Sequence, residues 1–104
     1  MGNLQNYQNI PVDSCHAIRG EFVTRTIAGE TIIVPIRTQV ADMDSIYNLN
    51  AVGMKIWGHL DGRTTVSQIA RSIAEEFDVN EEQARMDTLE FIASLEAAGI
   101  AVPV

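Results

Sequence analysis

Apolar positions along this chain change their period twice, and the changes divide it into elements. Residues 1–20 are polar and aperiodic, with Asn and Gln repeated and Pro11 among them, which predicts a loosely ordered lead-in to a domain over 21–104. Phe22-Val23-Thr24-Arg25-Thr26-Ile27 and Thr31-Ile32-Ile33-Val34-Pro35-Ile36 are rich in β-branched residues and flank Ala28-Gly29-Glu30, the pattern of a hairpin with a tight glycine-bearing turn. Pro35 lacks an N–H, so it belongs at an edge, a bulge or a strand end. After a polar connector, Arg37 to Ser45, Ile46-Tyr47-Asn48-Leu49 reads as a short third strand.

From there the period lengthens to that of a helix. Asn50 caps a helix beginning at Ala51, with Val52, Ile56, Trp57 and Leu60 at helical spacing and Asp61-Gly62 as its end. Thr65-Val66-Ser67-Gln68 is a capping-box pattern opening a second helix, which aligns Val66, Ile69, Ala70, Ile73 and Phe77. Asn80 caps a third, Glu81 to Ala98, with Ala84, Thr88, Phe91, Ile92 and Leu95 inward. Gly99 stops it, and Ile100 to Val104 tuck back on the core. Three strands followed by three helices predict an α+β domain, with a helix-turn-helix element beside a three-stranded antiparallel sheet.

Charge narrows the functions open to such a domain. The 104 residues hold 7 Lys+Arg against 14 Asp+Glu, a net of −7. Residues 1–70 are nearly balanced at −1, whereas 71–104 carry −6. Phosphate binding rests on Lys and Arg releasing counterions, so the helical half repels nucleic acid. The third helix, the expected DNA reader of a winged fold, holds only Arg85 against five carboxylates. No apolar run approaches the roughly 20 residues of a membrane helix. The start, Met1 to Asn6, has neither the basic cluster nor the apolar core of a secretory signal, and a single cysteine, Cys15, fits a reducing cytoplasm.

No catalytic constellation or metal set emerges. Cys15, His16 and His59 lack metal-ligand spacing; the first two read as a lead-in thiol and an exposed imidazole, and His59 lies near the end of the first helix, where an imidazolium favours the dipole. Nothing orders Ser45, His59 and Asp61 into a relay, and no glycine-rich phosphate loop is present. Glu75-Glu76 and Glu81-Glu82 sit at helix ends, where the second pair meets a positive dipole. The expectation is therefore a protein that is not an enzyme and holds no cofactor. What remains is a surface: a small sheet has open edges, and an open edge pairs with an extended peptide whose alternate side chains enter the groove between sheet and third helix.

Several motifs then fall in one order. Tyr47-x-Leu49-Asn50-x-x-Gly53-x-x-Ile56-Trp57 is followed by Leu60-Asp61-Gly62-x-Thr64-Thr65-Val66-x-x-Ile69-Ala70. Glu75-Glu76-Phe77-Asp78-Val79, Asp87-x-Leu89-x-Phe91-Ile92-x-x-Leu95 and Gly99-Ile100 complete the series. From about residue 20 to 101 the chain resembles the coenzyme PQQ synthesis protein D (PqqD) family. Pro35 in the second strand and Thr88, where an aliphatic residue is usual, are its departures. The resemblance implies a winged helix-turn-helix-like recognition element for ribosomally made, modified peptides (a RiPP recognition element). Such an element is a cytoplasmic, non-catalytic peptide chaperone that holds the leader of a precursor peptide and presents it to a modifying enzyme, often a radical S-adenosylmethionine (radical SAM) protein. The leader adds as a strand beside the third strand and lies against the third helix, here Ile46 to Leu49 and Glu81 to Ala98. The alternative is a winged-helix protein-interaction or regulatory module, including a homodimer formed by strand exchange.

Groove residues follow from face assignments. On the third strand Tyr47 and Leu49 share one face and Ile46 and Asn48 the other, with Leu49 favoured as core. On the third helix Phe91 and Leu95 read as buried, while Arg85, Leu89, Ile92 and Glu96 form a stripe spaced by 4, 3 and 4, turned partly away. Leu89 and Ile92 either line the groove or complete the core. Core packing is favoured for Trp57 and Tyr47. The acidic helix further implies a leader carrying Lys or Arg, drawn toward Glu82, Asp87, Glu90 or Glu96.

Overall fold

The computed structural model describes residues 10–37 and 47–104. Strands β1 (Cys15–Ile18), β2 (Glu21–Ile27), β3 (Glu30–Arg37) and β4 (Tyr47–Leu49) precede α1 (Ala51–Gly58). Then come β5 (Asp61–Thr65), α2 (Val66–Phe77), α3 (Glu81–Ala97) and β6 (Ala101–Pro103). The expected antiparallel sheet is present in the order β2-β3-β4. A second three-stranded sheet, β5-β1-β6, was not expected.

That second sheet corrects the reading of the lead-in. β1 is the central strand, pairing Cys15 with Thr65 and Ala17 with Asp61 on one side, and His16 with Pro103 and Ile18 with Ala101 on the other. Four residues carry too little alternation to announce a strand, and both partners come from distant chain. Residues 1–9 and 38–46 lie outside the described residues, and with them part of the lead-in, most of the connector and Ile46.

The local signals formed as their chemistry requires. Asn50 Oδ1 accepts from Gly53 N–H at 2.8 Å, and Asn80 Oδ1 from Gln83 N–H at 2.7 Å. Thr65 and Gln68 close the capping box in both directions, at 3.1 and 2.9 Å. At the end of α3, Ile100 N–H donates to Leu95 and Gly99 N–H to Glu96. This is a Schellman motif, with Gly99 at the left-handed position, φ +80°. The β2–β3 turn is two residues, Ala28 and Gly29, both with positive φ, the type I′ geometry that matches strand twist. Pro35 sits beside a register shift, where two β3 residues answer one step of β2. The β3–β4 ladder spans only Thr31 to Ile33, so the missing N–H of Pro35 costs no bond to β4.

Asp61 opens β5 with a turn of its own. One carboxylate oxygen accepts from the N–H groups of Arg63 and Thr64, both at 2.9 Å, and the other from the Thr64 hydroxyl at 3.1 Å. These backbone donors, Arg63 first, hold the carboxyl below the ordinary aspartate value.

The core lies between the helices and both sheets. Ile56, Val66, Ile69, Ile73, Ile92, Leu95 and Ile100 are fully buried. The β2-β3-β4 sheet reaches this core through Phe22, which meets Trp57 edge-on with centroids 5.8 Å apart, while its Ile33 and Leu49 are also buried. Thr88 is also fully buried, and its hydroxyl donates to the Ala84 carbonyl at 2.8 Å, so its own helix satisfies the polar atom. His16 is not an exposed imidazole. It is 2% exposed, with Nδ1 2.7 Å from Glu96 Oε2 and Nε2 2.9 Å from the Ser14 hydroxyl, which donates to the Pro11 carbonyl. No helix among the described residues is long and apolar enough to cross a membrane.

Candidate functional site: a cleft between the third helix and the edge strand

β4 is the outer strand of its sheet, and among the described residues no strand pairs with its other edge. The chain leaves β4 at Leu49, turns through Asn50 and enters α1. Here it forms one wall of a cleft of about 390 Å³ whose opposite wall is α3. Leu49 and Ile56 make a buried apolar floor, and Val52 and Phe91 are half-buried at the sides. Asp87, Glu90 and Ser94 complete the α3 wall. These residues and Phe91 recur at positions 87, 90, 91 and 94, one side of a helix.

Gly53 allows the two walls to approach. A Cβ there would stand 3.3 Å from Asn50 Oδ1, 3.4 Å from Leu49 Cδ2 and 3.7 Å from Phe91 Cε1. The first two are tight contacts, so a larger side chain pushes into the cleft or displaces its walls. The Asn50 cap bond to Gly53 N–H fixes the same corner. Asp87 accepts from the Gln83 amide at 2.9 Å, and Glu90 is exposed. Among the described residues, neither carboxylate pairs with a cation: Glu76 pairs with Lys55 and Glu81 with Arg71, and Glu96 contacts the His16 imidazole.

The stripe expected to face a ligand is placed elsewhere. Leu89 is 7% exposed and Ile92 fully buried, so both complete the core. Phe91, expected inward, is half-buried and faces the cleft. Glu96 turns to His16 on β1, and Arg85 borders a separate hollow of about 50 Å³ beside Ser67 and Arg71 of α2. At 3.6 residues per turn, Leu89 and Glu96 point about half a turn away from Asp87 and Ser94. The cause is that α3 packs on α2 with Ala84, Thr88, Ile92 and Leu95 buried, which leaves 87, 91 and 94 toward α1 and Leu49. Of the strand residues named beforehand, Leu49 lines the cleft and Tyr47 and Asn48 pair with Ile33 and Ile32. Ile46 is outside the described residues. Asp87 and Glu90, expected to draw a basic leader, line the cleft, whereas Asn50, Val52, Gly53, Ile56, Phe91 and Ser94 were not expected there. The 3, 4 and 7 spacing from Asp87 was the signal available for the helix side.

Residues 30–101 match the family model of coenzyme PQQ synthesis protein D (PqqD). The chain belongs to the PqqD family. The match runs from the start of β3 to the first residue of β6 and includes every residue that lines the cleft. The solution NMR structure of the PqqD truncation of Methylobacterium extorquens PqqCD has the same fold, at a TM-score of 0.69 and 16% identity. The alignment covers 93% of this chain and 98% of that one. That protein is described as a functional and stand-alone RiPP recognition element. No curated protein matches the chain. The mixed fold of this PqqD-family member thus unites an antiparallel sheet with an open edge, three helices and a cleft between them.

Proposed function

We propose that this chain is a non-catalytic recognition module that binds the leader of a ribosomally made precursor peptide and presents it to a modifying enzyme of the radical SAM class. The leader adds as a strand to the outer edge of β4, and its inward side chains enter the cleft toward α3. The observation that carries this reading is the edge of β4, unpaired among the described residues, beside an open, apolar-floored cleft, in a chain of the PqqD family. An edge strand supplies backbone bonds, and the cleft supplies side-chain selection. The description of the Methylobacterium extorquens relative as a recognition element supports the same use, and the family's name supports a place in coenzyme PQQ synthesis. The module works in the cytoplasm, where precursor peptides are made.

The order α1–β5–α2–α3–β6 supports a winged-helix description, with β1 inserted between β5 and β6. A DNA-binding use of that fold is disfavoured by the net charge of −6 over residues 71–104. The free edge of β4 also supports a second reading, a homodimer paired through that edge.

The test is an NMR shift titration of the full chain with the short peptides encoded beside its gene. Shifts at Tyr47 to Leu49, Gly53 and Asp87 to Ser94, with micromolar or tighter affinity, are expected. A Kd of 1 μM corresponds to about −8 kcal/mol. Saturable binding whose shifts avoid these residues would refute the site. If no peptide binds and the chain sediments as a dimer, the paired-edge reading takes its place.

A further inference from the structure

The cleft has one sign of charge. Its α3 wall carries Asp87 and Glu90, and among the described residues no Lys or Arg lines it. Among the described residues, the ion pair that α3 makes is elsewhere, through Glu81, and Glu96 contacts His16. An apolar floor under unpaired carboxylates is a poor seat for an acidic segment and a good one for an apolar side chain flanked by a cation.

Geometry adds a spacing. Phe91, beside the floor, and Asp87 are four residues apart on α3, about 6 Å along the axis. In an extended peptide, side chains two positions apart face the same way and are separated by about 6.7 Å. A strand lying along α3 thus brings one side chain to Phe91 and the next on that face to Asp87, with Glu90 within reach of a long cationic side chain.

Resting on the leader-binding reading above, we propose that the cleft selects a leader segment with an apolar residue two positions from a Lys or Arg. The apolar side chain fills the space over Leu49, Ile56 and Phe91, and Asp87 and Glu90 receive the cation. Asp87 and Glu90 are the specificity-determining residues. They also steer approach, because like-charged peptides are repelled before contact and basic ones are attracted.

The test pans a displayed library of random 12-residue peptides against the immobilised full chain. Recovered peptides are synthesised and titrated against the wild type and an Asp87→Asn, Glu90→Gln double variant. Asn at 87 keeps an acceptor for the Gln83 amide, so the fold is retained, and an unchanged urea midpoint checks this. The expected peptides shift Leu49, Gly53 and Phe91 and carry the apolar and basic pair two positions apart. They should bind the double variant about tenfold more weakly, the sum of two partly solvated charge pairs. Changing the peptide's Lys or Arg to Gln should cost the wild type the same tenfold and the double variant nothing further.

Peptides that shift the cleft but carry no basic bias, or bind both proteins equally, overturn the charge selection and leave leader binding standing. Recovery only of peptides that shift other surfaces, or of none that bind, overturns both.

Discussion

Glu96→Ala tests whether the link between β1 and α3 supports the fold. Glu96 Oε2 lies 2.7 Å from His16 Nδ1, and the imidazole is 2% exposed while the Glu96 side chain is 25% exposed. Hydrogen bonds to charged groups contribute about 1.5–3 kcal/mol, and removing one partner leaves the other to bear its desolvation. Water can reach the vacated position from the exposed side of Glu96, which argues for the lower part of that range. Truncation should therefore cost about 2 kcal/mol. For a domain of this size each kcal/mol moves Tm by roughly 4–8 °C, so a drop of about 8–16 °C is expected. The assay is urea unfolding with thermal melts, using Glu75→Ala as control, because Glu75 is exposed on α2. Peptide affinity should not change, since Glu96 points away from the cleft. A loss below about 0.5 kcal/mol, matching the control, would refute the view that the His16 link holds β1 on the core. An unchanged fold with tenfold weaker peptide binding would return Glu96 to the binding surface.

Three further outcomes are expected. Gly53→Val drives a branched side chain against Asn50, Leu49 and Phe91, so peptide affinity should fall at least about tenfold by calorimetry; unchanged affinity would remove the cleft from the binding site. Ala28→Gly relieves a non-glycine residue at φ +54° and should raise stability by about 0.5–1 kcal/mol in urea, whereas a loss would contradict the strain assigned to that turn. Asp61 has a carboxyl held below the ordinary value of 3.8. Its stabilising contribution is fully present above that value and is lost as pH falls through the lowered one. The stability gap between wild type and Asp61→Asn should stay constant well above pH 3.8 and close below it; a gap that closes on the alkaline side instead would reverse the assigned sign.

What the sequence determined by itself was local. Asn50, Thr65 with Gln68, and Asn80 announced three helix starts, because a side-chain oxygen reaching an N–H two or three residues on needs nothing from the rest of the molecule. Gly99 announced the end of α3, and Ala28-Gly29 the hairpin, for the same reason of short range. The third strand and the third helix, both legible in the sequence, each contribute residues to the candidate cleft.

Tertiary structure alone decided the second sheet and the rotation of α3. Asp61-Gly62-Arg63-Thr64-Thr65 has no strand pattern and becomes one because β1 pairs with it. β1 in turn is held between chain segments far from it in sequence, and its buried His16 finds Glu96 80 residues away. The helical period gave α3 apolar positions on two adjoining sides, at 84, 88, 92 and 95 and at 91. Which side became core depended on α2 packing against the first set. That choice buried Leu89 and Ile92, sent Glu96 to β1, and left Asp87, Glu90 and Phe91 to line the cleft with Leu49 and α1. A period fixes which residues lie together on a helix, whereas only the neighbouring elements decide where that face points.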